Sequence, residues 1–141
     1  MNAAYYTGER LIEIRPAHAV PPTRGTVQLE VAYTGICGTD LHLVHGAMDA
    51  RVARPAILGH EMAGRVAAVG EGVDGWQVGD AATVMPLVWC GECAACRTGN
   101  SHICQRLSFL GIDAPGSLQP RWTVPAETLV PLPRNRLLPN V

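Results

Sequence analysis

Residues 27–33 (VQLEVAY) alternate apolar and polar side chains, placing Val27, Leu29, Val31 and Tyr33 on one face. A period of two marks a strand with one face in the core. Residues 63–69 and 81–88 read as two more strands, with shorter ones at 3–6, 11–15, 122–124 and 128–132. Gly and Pro punctuate them. Pro16, Pro21, Pro22 and Gly25 mark one loop, residues 70–75 another, and Val78-Gly79-Asp80 a turn. Thr39 or Asp40 is placed to cap a short helical turn that runs to His45 and stops at Gly46. The stretch 89–106 is a cysteine-rich loop. Short strands joined by Gly/Pro turns, with no internal repeat, predict a mainly β fold, a small barrel or sandwich with short helices. No strand–turn–helix unit of the dinucleotide-binding type is visible.

A chain of 141 residues has the size of one domain, and 48% hydrophobic with 16% charged residues supplies enough apolar material for a packed core. A net charge of −1 excludes a broad basic footprint for nucleic acid or an anionic membrane. All 11 basic residues are Arg, so a lysine Schiff base is excluded. The apolar runs are too short for a membrane span. Met1 to Tyr6 lacks the basic and apolar regions of a secretion signal. The expected location is the cytoplasm, with no membrane partner.

The 5 cysteines are an odd number, whereas a secreted disulfide scaffold pairs its cysteines. Cys90, Cys93, Cys96 and Cys104 follow the spacing C-x2-C-x2-C-x7-C. Each C-x2-C step lets two thiolates of one tight turn reach one ion, and Cys104 closes a tetrahedron of soft ligands. Four thiolates leave no open position, so such a site holds a structural zinc. Buried packing as small apolar side chains and redox chemistry are the competing readings. A redox C-x-x-C sits at a helix start near a βαβ pattern, which is missing here.

Cys37, in Gly35-Ile36-Cys37-Gly38-Thr39-Asp40-Leu41-His42, and His60 with Glu61, in Gly59-His60-Glu61, form a weaker set. Separately, each is an ordinary core cysteine or a hydrogen-bonded histidine. Together they offer a thiolate, an imidazole and a carboxylate, the ligand types of an open catalytic zinc. His18, His45 and His102 read as solvated or loop histidines.

These residues carry a family resemblance. Gly35 to Asp40, Gly59-His60-Glu61 with Gly64, Val69-Gly70-Glu71-Gly72-Val73, Val78-Gly79-Asp80, the four-cysteine segment and Leu110-Gly111-Ile112-Asp113 occur in this order along nearly the whole chain. The set resembles the N-terminal, GroES-like catalytic domain of the zinc-dependent medium-chain alcohol dehydrogenases. The threonine, polyol and sorbitol dehydrogenase pattern is nearer than that of the liver enzymes. The resemblance implies a GroES-like barrel over 1–141 with a structural zinc lobe at 89–106. It implies Cys37, His60 and Glu61 at a catalytic zinc, and Cys90, Cys93, Cys96 and Cys104 at a structural one. Thr39 is implied as the acceptor of the substrate proton, His42 as the next relay station and Asp40 as the acceptor behind the His60 ring. The implied reaction is oxidation of an alcohol or polyol by zinc-assisted alkoxide formation and hydride transfer to NAD or NADP.

Two departures from the family stand out: Ala81 replaces a basic residue after Gly79-Asp80, and Gln119-Pro120-Arg121-Trp122 replaces an acidic-aromatic pair. The nucleotide-binding domain, and the family's usual third protein ligand to the catalytic zinc, are expected beyond Val141. The chain alone is therefore expected to be inactive, and the full-length form to be a homo-oligomer. The alternatives from other classes are a non-enzymatic zinc-binding barrel acting as an interaction module and a co-chaperonin-like module. The cysteine segment argues against the second.

Overall fold

The computed structural model describes residues 1–133. The final stretch of the expected 1–141 domain, 134–141, lies outside the described residues. The alternating stretch at 27–33 is the middle of a long strand, Thr26–Gly35 (β3), in a five-stranded antiparallel sheet. The strands before it are Asn2–Gly8 (β1) and Leu11–Pro16 (β2). After it come the helix Gly38–Val44 (α1), then Ala56–Ile57 (β4), Glu61–Val69 (β5), Ala81–Val84 (β6) and Leu87–Val88 (β7). The short helix Ala94–Arg97 (α2) is followed by Ser108–Phe109 (β8), Arg121–Pro125 (β9) and Leu129–Pro131 (β10). The large sheet has the order β10-β6-β5-β3-β9, a smaller one β2-β1-β4, and β7 pairs with β8. The expected mainly β architecture is borne out.

Val27, Leu29, Val66, Ala82, Trp122 and Val124 form the heart of the main core, at 2% exposure or less. Full burial of the valine and leucine side chains among them stabilises by about 1.5–3 kcal/mol each. Tyr33 departs from the expected alternation and is 54% exposed. The pairing of β3 with β5 shifts between Val31 and Tyr33, so an extra residue on β3 turns Tyr33 to the other face. The expected strand at 81–88 breaks at Met85-Pro86. Proline cannot donate to a ladder, and the chain leaves the large sheet there to begin β7.

Gly70-x-Gly72-x-x-Gly75 has the spacing of a dinucleotide fingerprint. It joins β5 to β6 with no helix after it, and that fingerprint needs the helix. Gly70 is there for close approach: a Cβ on it would lie 1.8 Å from the Thr23 carbonyl oxygen.

The sheet register builds the site. Gly35, the last residue of β3, pairs with Glu61, the first of β5. Cys37 follows Gly35 by two residues and His60 precedes Glu61 by one, so this pairing brings the two motifs together across 23 positions of sequence.

Candidate metal centre

Cys37 occupies the N-cap of α1, where Thr39 or Asp40 was expected. Its Sγ accepts from the Thr39 N–H at 3.3 Å, and Asp40, three residues on, accepts from the Cys37 N–H through Oδ2 at 3.0 Å. This is a capping box with sulfur in place of the usual hydroxyl. It fixes Cys37 with its thiol aimed across the end of β3. Cys37 Sγ lies 3.0 Å from His60 Nε2. Ligand atoms of Cys37, His60 and Glu61 all fall within 4.8 Å of one another.

His60 is 6% exposed and Asp40 is 4% exposed. Asp40 Oδ1 stands 3.8 Å from His60 Nδ1, and neither atom has a hydrogen-bond partner among the described residues. A buried, partnerless carboxylate oxygen facing a partnerless imidazole nitrogen is costly on its own terms. The donor set fits an ion on Nε2: that bond would place the ring proton on Nδ1, facing Asp40 Oδ1. A tetrahedral metal with sulfur at about 2.3 Å and nitrogen at about 2.0–2.1 Å sets the two donors about 3.6 Å apart. Cys37 and His60 therefore separate by roughly half an ångström on accepting zinc. Glu61 is exposed, with a carboxylate oxygen already within 4.8 Å of the other two ligand atoms.

These residues sit in an open cleft of about 700 Å³, lined also by Thr39, Thr83 and Phe109. Thr39 is thus brought to the centre. His42 is exposed on the last turn of α1 and is not among the cleft residues, although a spacing of three keeps it on the helix face of Thr39. His18, His45 and His102 are exposed. Phe109 was not anticipated. Its ring meets His60 edge-on, with centroids 5.0 Å apart and planes at 82°. The hint in sequence was that it is the chain's 1 phenylalanine, beside the Leu110-Gly111-Ile112-Asp113 motif.

The four-cysteine segment forms a second cluster. Cys93–Cys96 and Cys90–Cys104 sulfurs are 3.5 Å apart, and Cys90–Cys96 and Cys93–Cys104 sulfurs 3.9 Å. Four sulfurs at about 2.3 Å from one tetrahedral zinc are about 3.8 Å from each other, so the arrangement fits that ion closely. Backbone N–H groups of Cys90 and Arg106 donate to Cys104 Sγ, and that of Cys93 to Cys90 Sγ. Donation from the Glu92 and Cys93 N–H groups holds the Cys90 thiol down to about 6. Burial, followed by the neighbouring Cys93, pushes the Cys96 thiol up to about 12. One cation would resolve this opposition by holding all four as thiolates. Among these residues only Cys104 is buried, so little apolar packing holds the lobe.

Known proteins place this geometry. The model of the alcohol dehydrogenase GroES-like domain matches residues 23–134. The chain is 53% identical over 133 residues to the 2-dehydro-3-deoxy-L-galactonate 5-dehydrogenase of Pseudoalteromonas atlantica, covering 94% of this chain and 39% of that protein. It is 39% identical over 131 residues to the L-threonine 3-dehydrogenase of Pyrococcus horikoshii, covering 91% of this chain and 36% of that one. Among solved structures, an alcohol dehydrogenase of Escherichia coli CFT073 complexed with NADH superposes with a TM-score of 0.88 at 32% identity. That match covers 96% of this chain and 39% of that one. The chain thus spans less than half the length of the relatives it matches. With a family match along most of its length and the expected motifs meeting in one fold, the chain belongs to the alcohol dehydrogenase GroES-like domain family.

Proposed function

We propose that this chain is the metal-holding catalytic domain of a zinc-dependent, NAD(P)-linked dehydrogenase that oxidises a small alcohol or polyol. The observation that carries the reading is the convergence of Cys37, His60 and Glu61 in a cleft lined also by Thr39. In this reading Cys37, His60 and Glu61 hold the catalytic zinc. Zinc supplies Lewis acidity, which lowers the pKa of an alcohol hydroxyl toward neutrality. The Thr39 hydroxyl receives the alcohol proton at the cleft and hands it toward His42, whose exposed imidazole passes it to solvent. Asp40 orients the His60 ring from behind. Cys90, Cys93, Cys96 and Cys104 hold a structural zinc in the lobe at 89–106. NAD(P) supplies the hydride acceptor from a nucleotide-binding domain elsewhere in the full-length protein. The NADH complex of the structural relative, of which this chain covers 39%, supports a nicotinamide cofactor. The reading extends to a homo-oligomeric full-length form in the reducing cytoplasm, in keeping with the free thiols of all five cysteines. No described helix is long and apolar enough to cross a membrane.

Zinc content and turnover test the reading together. The chain should carry about two zinc ions, and Cys37→Ser should retain about one. Joined to its nucleotide-binding domain, it should oxidise alcohols or polyols with NAD(P) and lose that activity in Cys37→Ser. A full-length protein with a single zinc, or a Cys37→Ser enzyme of undiminished activity, would overturn it. The 141-residue chain alone should show no micromolar NAD binding.

A further inference from the structure

We infer that Arg51 and Asp113 are positioning residues for the Cys37–His60 centre: their ion pair holds the Phe109 turn against the His60 ring. The inference rests on the metal-centre reading above for its consequence, and on geometry alone for its mechanism.

Arg51 reaches Asp113 with a two-pronged fork, Nε to Oδ1 at 2.7 Å and Nη2 to Oδ2 at 2.6 Å. The same Oδ2 accepts from the Phe109 N–H at 2.8 Å, while the Asp113 N–H donates back to the Phe109 carbonyl at 2.8 Å. Residues 109–113 are therefore a closed turn, cross-linked in both directions and clamped from outside by a residue 62 positions away. The guanidinium holds the Asp113 carboxyl below the usual carboxylate range. An exposed ion pair is ordinarily worth little. This one is bidentate, and its neighbours anchor it: Val52 and Ile112, each adjacent to one partner, are buried in the same apolar cluster as Leu43 and Leu58.

The clamped turn and the residues that follow it support His60 on two sides. Phe109 and the His60 imidazole meet in a T-shaped contact. On the other flank, the Ser117 N–H donates to the Gly59 carbonyl at 2.8 Å, and the Gly116 and Leu118 N–H groups to the Ile57 and Leu58 carbonyls. A Cβ on Gly111 would lie 2.5 Å from the Gly59 carbonyl oxygen and 3.3 Å from His60 Cβ. The 109–118 segment is thus seated directly on the backbone that carries His60. With Nδ1 lacking a hydrogen bond among the described residues, the ring is held by its Nε2 contact to Cys37 Sγ at 3.0 Å and by this packing. Residues that contact a metal ligand directly change metal affinity by about 10–100-fold when replaced. A clamp one contact further out should act more weakly, by about 3–10-fold.

The test uses the full chain, with zinc in the four-cysteine lobe and cobalt titrated into the second centre. Because Phe109 is the single phenylalanine, ring-labelled phenylalanine reports on it alone. Arg51→Ala and Asp113→Asn should each lose the Phe109–His60 ring-to-ring nuclear Overhauser effect. Each should bind cobalt about 3–10-fold more weakly, with the double variant no worse than either alone and lobe zinc still near one per chain. Arg51→Lys, which keeps the charge but not the fork, should fold and still show the loss. Retention of the ring contact, or cobalt affinity equal to the parent's, overturns the inference. So does a parallel loss of both metals, which marks a general loss of stability. A parent chain that takes up no cobalt at the second centre refutes the metal-centre reading and the affinity consequence. The ring contact then decides the positioning claim by itself.

Discussion

Asp40 divides its two carboxylate oxygens between two tasks, and replacing it by Asn or by Ala separates them. Oδ2 accepts from the Cys37 N–H at 3.0 Å and closes the cap of α1, while Oδ1 faces His60 Nδ1 at 3.8 Å. In Asp40→Ala both tasks fail. The Cys37 N–H loses its acceptor in a site where Asp40 is 4% exposed. An orphaned donor of this kind costs about 1–3 kcal/mol, in line with the loss of a helix cap. For a domain of this size about 2 kcal/mol lowers the melting temperature by roughly 5–10 °C. Asp40→Asn keeps an amide oxygen for the Cys37 N–H and so keeps the cap, with melting within about 2 °C of the parent. Its NH2 group is then left facing His60. An imidazole bound to a metal through Nε2 carries its proton on Nδ1, so two donors oppose each other. Metal affinity at the centre should fall about 10–100-fold, or about 1.4–2.7 kcal/mol. The assay is competition with a chromophoric chelator, paired with thermal melts of protein carrying zinc only in the four-cysteine lobe. An Asn variant that binds metal like the parent would refute the orienting role and leave Asp40 as a helix cap alone.

Cys93→Ser should drop one zinc per chain and expose the amides of residues 89–106 to rapid hydrogen exchange, because apparent zinc binding at such sites is worth about 10–16 kcal/mol. Full metal content with unchanged exchange would refute the lobe assignment. Gly111→Ala forces a Cβ to 2.5 Å from the Gly59 carbonyl oxygen at φ +91°, so it should destabilise the fold by about 2–4 kcal/mol and lower zinc occupancy at His60. An unaltered melting curve would contradict that packing. Asp113 has a folded-state pKa held down by Arg51, so its contribution is complete above the unfolded-state value of about 3.9 and is lost as pH falls below it. Between about pH 5 and 2 the parent should lose stability more steeply than Asp113→Asn, measured by denaturant midpoints, and parallel slopes would count against the fork.

Much of the site was legible in the chain itself, because its information is local. Thiolates at C-x2-C steps must converge on one tight turn, so Cys90, Cys93, Cys96 and Cys104 announce a metal lobe before any fold is known. The alternation at 27–33 likewise dictates a strand, since only period two puts Val27 and Leu29 together in the core. What depends on register was beyond reach. The shift between Val31 and Tyr33 turns Tyr33 outward, and nothing in the local alternation marks it. Pro86 was visible, but its effect, sending β7 to a different sheet from β6, follows from which partners each half finds. The Cys37 cap escaped notice because sulfur is an unusual cap acceptor, so Thr39 and Asp40 had the stronger local claim. The meeting of Cys37 with His60 follows from the Gly35–Glu61 pairing, and the clamp of Arg51 on Asp113 from two loops seated on one apolar cluster. Sequence by itself determined which side chains could hold a metal. Tertiary structure decided which of them meet, because side chains distant in sequence are brought within bonding distance only when strands pair and the core closes beneath them.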